Sequence, residues 1–309
     1  MKLACSWLIV AVAFAFSTPV RAAELPRSPV GAIRNKISAA DLLSAESILE
    51  VYERNNGRDA QWVEGLGWLA RGALLLGERE KAKRYADTTC RTCETRIAAG
   101  ADLETESSLV TALGASIEVE AQLRQHSKGT RNAARYLEGQ LARYSKPIGF
   151  RSRIYKRLNL LTLEGQAAPE LAVEDRLGAA STSLAALEGR PVLLFVWSES
   201  CGDCKAQAAA LAAVKRRYEP AGLQVVALTR YYGGEEASVE KARADSVWND
   251  VYRDIGPIPN VFSTASMQRY GGSSTPTFIF VDRRGVVRDY LPTRLTEQEL
   301  DRRVAAILR

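Results

Sequence analysis

Histidine is nearly absent from this 309-residue chain: His126 stands alone. A zinc centre draws on about four cysteine, histidine or acidic ligands, so this scarcity leaves little for one. Cysteine is sparse too, five in all, at positions 5, 90, 93, 201 and 204. Beyond the extreme N-terminus no stretch is apolar enough to cross a membrane. Charge of one sign never accumulates: 42 Lys+Arg and 36 Asp+Glu are interspersed, for a net +6. That argues against a nucleic-acid surface, and no nucleic-acid partner is expected. Strand-like runs are almost missing before residue 165, which excludes a sheet-based architecture for the first half.

What is present begins with a targeting pattern. Lys2 precedes a short apolar run, Leu8 to Phe16, and Val20 and Ala22 suit a small-residue cleavage site. Residues 1–22 are therefore expected to be a secretory signal peptide, because the run is short for an anchor. Cys5 lies ahead of that run and is passenger sequence. Cleavage after Ala22 removes Lys2 and Arg21 and no acid, taking the net charge from +6 to +4. No membrane span is expected after cleavage, and the periplasm is the expected compartment, one where disulfides form and persist.

The mature chain divides by periodicity. Residues 23–164 read as an all-α domain. Leu66, Leu69, Ala73 and Leu76 share a face, Gly77 interrupts it, and Ala82, Tyr85 and Ala86 resume it. This hairpin resembles one tetratricopeptide unit, without a second copy at the expected spacing. Further helices are predicted over Leu109–Leu123 and Ala133–Tyr144, joined through Ser127-Lys128-Gly129. Residues 165–169 read as a linker, and 165–309 as an α/β domain. Its strands are predicted at Pro191–Trp197, Gly222–Thr229, Thr277–Val281 and Val286–Leu291. Its helices are predicted over Lys205–Tyr218, Ala237–Val247 and Glu297–Leu308, the last with Thr296 and Glu299 as a capping box. Asp282 to Gly285 makes a hairpin turn.

Cys201-Gly202-Asp203-Cys204 falls between the first strand and the first helix of that domain. Two cysteines three apart at a helix start can face each other, and the amide dipoles there favour a thiolate on the first. The arrangement reads as a redox dithiol, with a structural disulfide as the alternative and no metal. No cofactor is implied. Cys201 is the expected nucleophile and Cys204, one turn inside, the resolving thiol. Asp203 pushes toward a reductant by disfavouring the Cys201 thiolate, and Lys205 pushes the other way. Cys90 and Cys93 sit inside a predicted helix, where a local disulfide, free thiols and a relay with Cys201 are all open.

At this point the residues resemble the thioredoxin superfamily, specifically its secreted TlpA/ResA-like disulfide reductase branch. Gly165 to Pro169, then Ser183-Leu184, Leu187, Gly189 and Pro191, resemble the lead-in to the first central strand. Phe195, Trp197 and Cys201 to Cys204 match the active-site segment, and Ser274 to Phe278 with Asp282 and Gly285 the loop and hairpin that carry a cis-proline. The resemblance implies a thioredoxin-like fold for 165–309, with Pro276 cis and the Thr275 backbone beside Cys201 to receive an extended substrate. Trp197 is either a core aromatic or a shield over the dithiol. There are departures: Ser200 stands where an aromatic residue is usual, Asp203 for a proline, Phe195 for a buried acid and Gln207 for a glutamate.

The implied activity is reduction of disulfides in exported proteins, with a protein disulfide as substrate and an upstream thiol reductant as donor. Two alternatives are a helical partner-binding protein with a redox-sensing or tethering thioredoxin-like domain, and a thiol oxidase or isomerase. A peroxiredoxin would need proline seven residues before Cys201, where Leu194 stands.

Overall fold

The computed structural model describes residues 28–178 and 183–309, so the signal-peptide segment lies outside the described residues. The first half is a stack of helices: α1 (Val30–Ser38), α2 (Leu42–Asn56), α3 (Ala60–Leu75), α4 (Arg79–Ala98), α5 (Ser107–Lys128), α6 (Thr130–Arg143) and α7 (Ile148–Thr162). Asp41 and Asp59 cap α2 and α3 by accepting from Ser44 N and Trp62 N. Leu66, Leu69 and Ala73 of α3 pack with Ala82 and Ala86 of α4 and with Leu109 and Leu113 of α5 in one buried cluster. The α3–α5 crossing is tight because Gly67 lacks a side chain: a Cβ there would stand 3.2 Å from Ala112 Cα. The expected Ser127–Gly129 connection contracts to Gly129 alone, whose φ of 82° lets the chain turn directly from α5 into α6.

The second half is a six-stranded sheet flanked by helices. Its elements are β1 (Asp175–Leu177), β2 (Val192–Val196), α8 (Gly202–Lys205), α9 (Ala208–Tyr218), β3 (Gln224–Thr229), α10 (Ala237–Val251), β4 (Asn260–Phe262), α11 (Thr264–Arg269), β5 (Thr277–Val281), β6 (Val287–Leu291) and α12 (Glu297–Ile307). The strand order is β1-β4-β3-β2-β5-β6. Strands β2, β3 and β4 run parallel, and the remaining pairings are antiparallel.

Alternation along the strands sorts the core into two layers. Leu193, Phe195, Val225, Ala227, Phe278 and Phe280 face Leu211, Trp248, Leu300 and Val304 of α9, α10 and α12. Leu194, Val196, Val226, Leu228, Ile279 and Val281 face Met267, Tyr270 and Leu163 on the other side. This is the thioredoxin-like fold, preceded by an all-α region.

Three further features go beyond the sequence reading. The segment 165–169, read as a linker, lies against β6: Gly165 N donates to Val287 O, Val287 N to Gln166 O and Ala168 N to Gly285 O. The helix expected over Lys205–Tyr218 breaks at Ala206-Gln207, where Gln207 turns inward and its Oε1 accepts from Leu295 N at 2.9 Å. Strands β1 and β4 went unanticipated, since three-residue strands carrying Asp175 or Asn260 fall below the length at which alternation is readable.

The helical half is seated on the sheet's cis-proline side. Asn159 Nδ2 of α7 donates to Arg269 O at 2.9 Å, and Ser152 Oγ lies 3.4 Å from Met267 O. At Gly271, where φ is 67°, a Cβ would stand 2.5 Å from Lys156 Cα, so only glycine lets α7 come this close. Lys156 continues the connection: its Nζ is 3.3 Å from Glu118 Oε1 on α5 and 3.4 Å from Ser274 Oγ, next to Thr275. Glu118 also pairs with Arg71 of α3. Burial opposes its ionisation, but Arg71, Lys156 and Arg153 hold its carboxyl below the usual range.

Candidate active site

β2 ends at Val196, and the chain turns through Ser198 and Ser200 into the short helix α8, with Cys201 as its N-cap. Cys201 N donates to Ser198 O at 3.2 Å, which fixes the turn. The Cys204 N–H donates to Cys201 Sγ at 3.0 Å, and the two sulfurs are joined in a disulfide with Cα atoms 5.2 Å apart. Cys204 is fully buried, while Cys201 is half-buried and opens into a cleft. One sulfur is thus reachable and the other sealed. The same Cys204 N–H is placed to donate to the outer sulfur when the bond is reduced.

Thr275 comes to the same cleft from the loop before β5, and the Thr275–Pro276 peptide is cis. The Thr275 backbone has no backbone hydrogen-bond partner among the described residues. Thr277 Oγ1 ties the loop down by donating to Ser274 O at 2.8 Å.

Other residues singled out in the sequence are placed differently. Trp197 does not line the cleft. It is fully buried, its Nε1 donates to Asn260 Oδ1 at 3.1 Å, and its ring packs against Trp248 and Tyr252 at 5.0 and 5.5 Å. Of the two expectations for Trp197, core aromatic is the one the structure carries, because its neighbours come from α10 beneath the strand. Asp203 lines the cleft but its carboxylate is 62% exposed and sits 3.2 Å from Arg294, itself 57% exposed. Its field on Cys201 is therefore partly cancelled by a partner that lies 91 residues away in sequence. Lys205 ends α8, makes no ion pair among the described residues and does not line the cleft.

Cys90 and Cys93 require a correction to the disulfide and relay readings. Both are free thiols on the uninterrupted helix α4, and neither lines the cleft with Cys201. Cys93 is fully buried, with Sγ 4.0 Å from Leu109 O on α5, and Cys90 Sγ lies 3.7 Å from Glu94 Oε1. Burial pushes the Cys90 thiol up to about 11, with Glu94 adding to it, and the Cys93 thiol up to about 12, with Cys90 adding to it. Such thiols are poor nucleophiles.

The cleft itself, of 1020 Å³, joins both halves of the molecule. One wall is Ser198, Cys201, Arg230 and Thr275 of the sheet domain. The other is Leu103, Val110 and Arg153 from the loop before α5, α5 itself and α7. Sequence reasoning missed this second wall, because no periodicity in α5 or α7 points to a residue on the far side of the sheet.

Residues 165–290 match the family model described as AhpC/TSA family. The thioredoxin-like protein YneN of Bacillus subtilis (strain 168) is 27% identical over 150 residues, which cover 48% of this chain and 84% of that one. The thiol-disulfide oxidoreductase ResA of Oceanobacillus iheyensis is 24% identical over 140 residues, 44% of this chain and 69% of that one. Among solved structures, a thioredoxin-family thiol:disulfide interchange protein from Chlorobium tepidum TLS is 16% identical, covering 47% of this chain and 98% of its own, with a TM-score of 0.40. The C-terminal half of the chain therefore has a thioredoxin-like fold and is similar in sequence to the AhpC/TSA family, YneN and ResA. Leu194, where a peroxidase motif wants proline, is buried in the middle of β2 and pairs with Val226 and Ile279.

Proposed function

We propose that this chain is an exported thiol-disulfide oxidoreductase that reduces disulfides in other exported proteins through Cys201 and Cys204. The observation that carries the reading is the asymmetry of the pair: Cys201 Sγ faces the cleft beside Thr275 and accepts from Cys204 N, while Cys204 is sealed. The Cys201 thiolate attacks one sulfur of the substrate disulfide, and the other leaves as a thiolate that takes up a proton. Cys204, deprotonated in turn, attacks Cys201 Sγ, breaks the mixed disulfide and releases the second substrate thiol. Two electrons pass to the substrate, and the protein is left with the Cys201–Cys204 bond. A dithiol reductant upstream restores the thiols by the reverse exchange.

The unpartnered Thr275 backbone favours a substrate segment that lies extended against the cis-proline loop as an added strand. Export rests on the N-terminal apolar run and its cleavage pattern, and the periplasm is the compartment it fits. Among the described residues no helix is long and apolar enough to cross a membrane. No resident cofactor is needed, since both redox equivalents reside on the two sulfurs.

Insulin reduction by the pre-reduced protein tests the activity, and capture by Cys204→Ser tests the chemistry. Turnover with a stalled adduct on Cys201 is expected. A protein that neither reduces insulin nor traps a substrate overturns the reading, and a midpoint potential well above that of glutathione overturns its direction.

A further inference from the structure

The cleft that holds Cys201 carries an unbalanced set of charges. Its acids have their own cations: Asp203 stands 3.2 Å from Arg294, and Glu104 3.6 Å from Lys146. Its two arginines do not. Arg153 of α7 has no hydrogen bond or ion pair among the described residues, and Arg230, just after β3, spends one N–H on Tyr231 O at 3.1 Å and stacks over Tyr232 at 4.3 Å. Guanidinium groups on the wall of a cleft with no carboxylate in ion-pair contact form a receptor for one.

Arg153 is also held in place by the fold. Its stem crosses α5 at Gly114, where a Cβ would stand 3.1 Å from Arg153 Cδ, so the missing side chain makes room for the arginine. Burial, and then Arg71 nearby, disfavour its charge, while Glu118 and Glu64 only partly offset this. An incoming carboxylate relieves that penalty.

We propose that Arg153 and Arg230 form a carboxylate-binding subsite, one residue from each half of the molecule, that selects disulfides bearing an acidic group close to the reacting sulfur. This rests on the oxidoreductase reading of the same cleft. The helical half thereby acts as the specificity wall of the site: with α5 and α7 facing the dithiol, the substrate enters as a narrow segment or a small molecule. Two sources share this chemistry, a glutathione-type disulfide and an exported peptide with acidic residues beside its cysteine.

The test compares rate constants of the pre-reduced protein with glutathione disulfide, which is anionic, and bis(2-hydroxyethyl) disulfide, which is neutral. Two further substrates are peptide disulfides flanked by Asp or by Asn. The anionic member of at least one pair is expected to react about tenfold faster at low salt, with the ratio shrinking as ionic strength rises. Arg153→Gln is expected to lower that ratio about tenfold, and Arg153→Lys to restore part of it. A preference confined to glutathione disulfide assigns the subsite to small thiols, and Asp-over-Asn discrimination assigns it to client peptides. Equal rates within both pairs, or a ratio that Arg153→Gln leaves unchanged, overturn the subsite while leaving the oxidoreductase intact. Failure to reduce even the neutral disulfide overturns both.

Discussion

Cys90–Cys93 and Cys201–Cys204 share one spacing and meet opposite fates. The first pair lies midway along α4, a 20-residue helix, and the second caps the start of α8. Mid-helix, every nearby amide already donates to a carbonyl one turn back, so a thiolate finds no free helix amide, and α5 covers Cys93. At the N-cap the Cys204 amide has no helical acceptor and turns to Cys201 Sγ at 3.0 Å. Two cysteines three residues apart therefore become a disulfide pair or two free thiols according to where the helix begins.

The largest effect that can break this comparison is loss of the outer sulfur. Cys201→Ser is expected to lower disulfide reduction by at least ~10³-fold, read as insulin turnover, because no other described thiol reaches the cleft. Appreciable residual turnover would mean that Cys90 or Cys93 takes part after all.

Thiol labelling sharpens the contrast further. In the fully reduced protein at pH 8, a thiol held at about 12, as Cys93 is, exists as thiolate at only about one part in 10⁴. Cys93 should therefore be alkylated at least ~100-fold more slowly than Cys201, measured by mass spectrometry of timed quenches. The linkage has a sign: Cys93 is raised in the folded state, so its contribution to stability is whole below the unfolded thiol range and is lost as pH rises towards about 12. Urea midpoints of wild type and Cys93→Ala that fail to converge above pH 9 would contradict this.

Smaller effects come from the charges around α8. Asp203→Asn is expected to raise the midpoint potential and Arg294→Gln to lower it, each by less than about 30 mV, since the pair is exposed. Shifts of the same sign from both variants would show that the pair does not act through Cys201. The smallest expected effect is that of Cys93→Ala on turnover, which should stay within about twofold of wild type while stability falls by roughly 1 kcal/mol. A larger fall in turnover would revive a relay.

Much of the second half was readable along the chain. The strands that became β2, β3, β5 and β6 are continuous apolar or alternating runs, and the capping box at Thr296 and Glu299 is present as the residues suggested. β1 and β4 left no comparable signal, because their register is set by neighbours: Asp175 pairs with Phe262 and Asn260 with Ala227. Of the site, Cys201 and Cys204 stand out as residue types at a telling spacing, and Thr275 and Pro276 only through the family resemblance. Arg153, Arg230 and Arg294 do not, since an arginine on an amphipathic helix or loop looks like any other solvated cation until something packs opposite it.

Local sequence determined where helices start, which residues face the sheet, and that two sulfurs stand one turn apart at a helix N-cap, because those depend on hydrogen bonds and periodicities within a few residues. Tertiary structure decided which cysteines are sealed, that Trp197 belongs to the core, and that α5 and α7 wall the dithiol. Those outcomes follow from contacts between residues far apart in the chain, such as Gly271 against Lys156 and Asp203 against Arg294. Burial and electrostatic environment are properties of the packed assembly, and neither can be read from spacing along one strand or helix.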